Sequence, residues 1–182
     1  MELGADALVA TGTQIGADPV PYRLDYGLTT GPAFVTETLT VDATGEGWRR
    51  HLSLVRRPDG TWECVTQAEG VASLPPPGGD VAAVRGALDC DLARSPLTNL
   101  MPVRRHRLHE EPGEVDFLMA WVSVPDLGLH PSEQRYEHVR SHADYSVVRY
   151  VGRHRDFVGE LVFDHDGIVE HYPELAKRVT VP

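Results

Sequence analysis

The sequence predicts a mainly β fold, a large curled antiparallel sheet accompanied by one short α-helix. Three features carry that expectation. Apolar residues recur at every second position over most of the chain, the period of a strand with one buried face. Two Gly-ended segments, Arg57-Pro58-Asp59-Gly60 and Asp164-His165-Asp166-Gly167, separate such runs by the length of a hairpin turn. Only one internal stretch, Ser95 to His106, spaces its apolar residues as a helix does.

The first 18 residues, rich in Ala, Gly and Thr, form either a weak edge strand or a frayed end. Tyr22, Leu24, Tyr26 and Leu28 alternate with Arg23, Asp25 and Gly27, and Val35, Leu39 and Val41 alternate with Thr36, Thr38 and Thr40. Both runs read as strands with threonine on the wetter face. Trp48 to Arg56 and Thr61 to Thr66 flank the first turn, where Pro58 presets one dihedral and Gly60 accepts positive φ. Ser73 to Asp80, with three prolines and two glycines, cannot donate a regular ladder and reads as a surface loop. Val115 to Val122 is apolar on both faces beyond Asp116 and should lie deep. Gln134 to Arg140, Tyr145 to Val151 and Phe157 to Phe163 continue the series, and Ile168 to Tyr172 returns from the second turn. In the helical stretch Ser95 is the expected N-cap before Pro96, and Pro102 is expected to interrupt it, leaving a short or broken helix. Pro173 to Val179 reads as a terminal helical turn.

A chain of 182 residues fits one domain, residues 1–182. Asp and Glu number 27 against 17 Lys and Arg, a net charge of -10, so no basic footprint for a phosphate backbone exists and nucleic acid is not an expected partner. No apolar run reaches the roughly 18 residues that a membrane span needs. The acidic start, Met1 to Asp6, lacks the positive charge of a secretory signal, so the expected location is cytoplasmic. Cys64 and Cys90 alternate in phase with apolar neighbours and read as buried free thiols.

Three groups of residues carry candidate chemistry. His138, His142 and Asp144 have metal-like spacing, but on strands and a turn the two imidazoles sit far apart, so we expect solvated histidines and no metal. Asp89 and Asp91 flank Cys90 on a strand, with Cβ atoms about 7 Å apart on one face; solvated acids are the expected reading, acid–base work the alternative. The third is the run from Arg94 to Arg105. It sets three arginines and the Thr98-Asn99 pair around an apolar stripe, and guanidinium forks with an amide can hold carboxylates, phosphates or sugar hydroxyls. Its apolar residues should plug the sheet, with Asn99 bonding nearby backbone. Sixteen of the 17 basic residues are Arg, a bias that weakens any inference from arginine choice alone.

The same run, Ser95-Pro96-Leu97-Thr98-Asn99-Leu100-Met101-Pro102-Val103-Arg104-Arg105, resembles the TPFTNTLPIRR signature of the bacterial family known as "putative glycolipid-binding". Five further fragments follow that family's order: Cys90-Asp91-Leu92, Gln134-Arg135-Tyr136-Glu137, Phe157-Val158-Gly159-Glu160-Leu161, Asp164-His165-Asp166-Gly167-Ile168-Val169 and Tyr172-Pro173-Glu174-Leu175. After Glu137 the family has Arg, whereas this chain has His138. The resemblance spans residues 20–179. It implies a spiral β-roll wrapped around a single helix, a homodimer, and a fold similar to bacterial lipoprotein carriers, from which the family takes its name.

The expected function is therefore non-enzymatic binding of an amphipathic small molecule, a glycolipid or lipid conjugate, in a groove between sheet and helix. Trp121, Tyr136 and Tyr150 are the expected aromatic lining, with Trp48 and Trp62 as further candidates. Arg94, Thr98, Asn99, Arg104 and Arg105 are the expected contacts to a polar head. No catalytic residue, metal or cofactor is expected. The alternatives are a metal-assisted or acid–base hydrolase using His138, His142, Asp144 or the Asp89/Asp91 pair, and a structural homodimer without ligand.

Overall fold

A computed structural model describes residues 1–153 and 156–179. Its strands are β1 (Glu2–Leu3), β2 (Leu8–Gly16), β3 (Tyr22–Thr30), β4 (Thr36–Gly45), β5 (Trp48–Arg56), β6 (Trp62–Gly70) and β7 (Asp89–Leu92), followed by β8 (Glu114–Val122), β9 (Leu129–Ser141), β10 (Ser146–Gly152), β11 (Phe157–Phe163), β12 (Val169–Tyr172) and β13 (Ala176–Lys177). Among the described residues one α-helix, α1 (Leu100–Arg105), follows a 3-10 turn over Pro96–Asn99. The fold is mainly β, curled and almost wholly antiparallel, as its alternating pattern predicts.

The sheet divides in two. Strands β1 to β6 form a meander in chain order, and β13 to β7 form a second sheet in reverse order. One pair, β7 with β8, is parallel, because the chain between them crosses over through α1. The sheets meet where the Thr36 N–H donates to the Leu88 carbonyl (3.0 Å) and the Cys90 N–H donates to Thr36 Oγ1 (3.0 Å).

Two apolar clusters fill the interior. The first joins Leu24, Leu39, Leu52, Leu54 and Trp62 to Cys90, Val122, Leu100 and Met101. The second gathers Val103, Met119, Tyr136, Tyr150, Leu161 and Phe163. The helix therefore plugs both, Leu100 and Met101 on one side and Val103 on the other. Strands β7 and β8 lie between the clusters, which is why Val115 to Val122 carries apolar residues on both faces.

Local departures from the sequence reading have physical causes. Of the two readings of the N-terminus the strand holds, but β2 is no edge: it pairs with β1 on one side and with β3 from Val9 to Gly16 on the other. A register shift between Thr29 and Thr30 inverts the start of β4, so Thr36 is buried and Val35 only partly covered. The helix is short, as expected, at 6 residues, but Pro102 does not break it, since it lies in the first turn, where its missing N–H has no intrahelical partner to lose. Ser95 takes the N-cap position of the 3-10 turn, but its side chain caps nothing and meets the Tyr26 hydroxyl at 3.4 Å. The tail expected to be helical instead turns at Pro173–Leu175 and returns as β13, because Tyr172 and His171 offer an open edge to Ala176 and Lys177.

Both hairpin glycines have positive φ, +80° at Gly60 and +70° at Gly167. A Cβ on Gly167 would also stand 2.9 Å from Arg104 Cγ. Gly167→Ala should lower stability by about 1 kcal/mol or more. A melting temperature equal to the parent's would remove this turn from the account of the fold.

Candidate functional site

The site grows from the face that β7, β8 and β9 turn toward the helix. Register places Asp91 beside Trp121 and Trp121 beside His130, with Asp89, Met119 and Ser132 in the next row. Further along, Gln134 and Tyr136 continue that face, and Tyr136 pairs with Tyr150 of β10. The segment from Arg94 to Arg105 closes over these rows.

This closure buries both aspartates, which the sequence reading had set on a solvated face. Asp89 is 1% exposed and Asp91 7%. Arg105 grips Asp89 through two bonds, Nη1 to Oδ2 at 2.8 Å and Nη2 to Oδ1, while also donating to the carbonyls of Ala33 and Phe34. Burial pushes the Asp89 carboxyl up, and the guanidinium opposes that shift. Asp91 accepts from Thr98 Oγ1 (2.8 Å) on one oxygen and from Gln134 Nε2 (2.6 Å) on the other. The network continues from the Tyr136 hydroxyl to Gln134 Oε1 (3.1 Å) and from Asn99 Nδ2 to the Tyr136 hydroxyl (2.6 Å). Asn99 thus bonds a side chain across the sheet, not the nearby backbone expected of it. Burial holds the Tyr136 hydroxyl well above its ordinary pKa, so it stays a donor.

At the edge of this network lies a narrow cleft of about 10 Å³, room for about one water. Arg94, Ser95, Asn99, Trp121, Tyr150 and Tyr172 line it, together with the buried Asp91. Four of the eight residues selected from sequence therefore share one cleft: Arg94, Asn99, Trp121 and Tyr150. Thr98 and Tyr136 stand behind it in the network. Arg105 is committed to Asp89, and Arg104 points elsewhere, donating to the Asp166 carbonyl (2.6 Å) with its guanidinium 5.0 Å from the Phe34 ring centre. Trp48 and Trp62 belong to the first apolar cluster. Ser95, Gln134 and Tyr172 complete the site without having been chosen from sequence. A wider hollow of about 320 Å³ over Asp42, Arg49, His51 and Glu69 lies on the outer face of the first sheet, away from the signature segment.

The histidine candidates do not converge. His138 Nδ1 meets the Leu108 carbonyl at 2.8 Å from within β9, whereas His142 stacks on Tyr145 with ring centres 4.4 Å apart. Among the described residues no three His, Cys, Asp or Glu side chains are placed to share a metal ion.

The sequence profile of a family described as "Putative glycolipid-binding" matches residues 1–178. The chain belongs to this family. A crystal structure of a DUF1089 family protein from Pseudomonas aeruginosa is similar in fold, with a TM-score of 0.73 at 24% identity over 98% of this chain and 89% of that one. No curated protein matches significantly. Among the described residues no helix is long and apolar enough to cross a membrane. Within the family signature, then, Thr98, Asn99 and Arg105 serve the buried network and Arg104 the second hairpin.

Beside Arg104 lies His109, buried, with an imidazole that burial pushes below its ordinary pKa; Glu110 opposes this shift, and Arg104 and Arg107 add to it. Because the unfolded chain takes up that proton at a higher pH than the folded one, stability is full above about pH 6.5 and falls as pH drops below it. We expect His109→Gln to reduce the fall in melting temperature between about pH 7 and pH 5, the remainder coming from His106, which burial also pushes down. An unchanged slope would remove His109 as a source.

Proposed function

We propose that the chain binds an amphipathic small molecule of glycolipid type without converting it, and that the polar head seats in the cleft beside Trp121. The observation that carries this reading is the convergence of Arg94, Asn99, Trp121 and Tyr150 on one cleft backed by a fixed polar network. An aromatic face covers the C–H side of a sugar ring while amide, hydroxyl and guanidinium groups meet its oxygens. Asn99, whose amide is already held by the Tyr136 hydroxyl, loses little freedom on binding.

As it stands the cleft admits one water, so a sugar ring enters only by displacing its wall. That wall is the Tyr172–Leu175 turn, tethered by a two-residue edge strand through the pairs His171–Lys177 and Tyr172–Ala176. The concave interior is filled by Leu100, Met101 and Val103, each 0% exposed. The apolar tail therefore lies outside, over the half-exposed Leu175. Binding without chemistry is supported by the state of the reactive groups. Asp89 is locked to Arg105, both Asp91 oxygens accept hydrogen bonds, and burial pushes the Cys90 thiol up to about 12.

Calorimetric titration with octyl β-D-glucoside below its micelle concentration tests the placement. Saturable binding to the parent should weaken about tenfold in Trp121→Ala. Equal affinity in the two proteins would reject it.

A further inference from the structure

Arg94 differs from the other two arginines of its segment. Arg105 is sealed against Asp89, and Arg104 is spent on a backbone carbonyl and an aromatic face. Arg94 lines the cleft and is half-exposed, and its ion-pair partner is Asp18, 3.2 Å away and 83% exposed. Its backbone is also unusual, with φ at +61°, a conformation that costs a non-glycine residue energy and recurs where a side chain must be aimed. An ion pair this open to water contributes little, so a second anion can replace Asp18 at small cost. A ligand carboxylate or phosphate meeting the guanidinium fork gains paired, charge-assisted bonds in return.

We infer that the headgroup taken by this cleft is an acidic sugar, whose anionic group replaces Asp18 on Arg94 while its hydroxyls turn inward. The inference rests on the glycolipid reading above and narrows it to one ligand class. The inward direction follows from charge. Asp91 lines the same cleft and repels an anion, but its remaining lone pairs accept from a neutral hydroxyl. Asp18 thus holds the place on Arg94 that the ligand's acid group would take.

The test is calorimetry with octyl β-D-glucuronide, octyl β-D-glucoside and free glucuronic acid on the intact chain. The parent should prefer the glucuronide over the glucoside by about tenfold, and added salt should erode that preference. Arg94→Gln, which removes the charge and leaves a shorter polar side chain, should abolish the preference, costing glucuronide about tenfold more affinity than glucoside. Asp18→Asn should tighten glucuronide several-fold and leave glucoside unchanged. Equal affinities in the parent, or a preference that survives Arg94→Gln, would overturn the inference while leaving the cleft reading in place. Failure of both alkyl sugars to bind would overturn the cleft reading and this inference together. Weak binding of free glucuronic acid would support a lipid headgroup; affinity equal to the octyl glucuronide would overturn the lipid source in favour of a free sugar acid.

Discussion

Arg105→Ala and Asp89→Ala are each expected to lower the unfolding free energy by about 3–5 kcal/mol, the cost of leaving one buried charge without its partner. The pair is almost dry, with side-chain exposures of 9% and 1%. Arg105 also ties Ala33 and Phe34, two consecutive non-glycine residues at φ +56°, so its loss frees a strained turn from the helix. Replacing both partners by apolar residues, Asp89→Leu with Arg105→Met, should recover most of the loss, because no charge then remains to be desolvated. Urea denaturation of the three variants separates the effects. Single losses below about 1 kcal/mol would mean that the pair is solvated and that the segment does not seal this face.

Leu100→Ala is the second large effect, about 2–5 kcal/mol, set by the transfer energy of the lost methyl groups and the cavity they leave. Leu100 is 0% exposed and touches the first cluster just where α1 begins, so neighbours from both sheets have little room to close in. Arg104→Ala, one turn further on, should cost about 1 kcal/mol, since it gives up one carbonyl bond and an aromatic contact at a half-buried rim. Reversal of that order in thermal unfolding would mean that the segment is held by its charges and not by its plug.

Much of the fold was legible in the sequence because strand alternation and turn chemistry are local. Trp48 to Arg56 and the Pro58–Gly60 turn needed no distant partner to be recognised. The site was legible only in part, for the opposite reason. Asp89 and Asp91 read as surface acids because Arg105 and Gln134, which neutralise and satisfy them, lie 16 and 43 residues away, and Thr98, seven residues on, reaches Asp91 only because the segment folds back. Burial of a carboxylate is decided by such contacts, which no period reveals. The three arginines of one segment looked equivalent, and only the closed structure shows that two are committed and one faces the cleft. Tyr172 and Ser95 were missed since each carries an ordinary core or capping signal. Gln134 gave the one available hint, a polar residue in phase with the apolar Tyr136 on a strand.

Native mass spectrometry of freshly purified protein is the most direct measurement of binding at the Arg94–Trp121 cleft. The expected spectrum shows the parent chain carrying an adduct of lipid mass, and the double variant Arg94→Gln with Trp121→Ala, folded by circular dichroism, without it. A parent spectrum free of adduct, or an adduct held at equal occupancy by the double variant, would contradict the assignment.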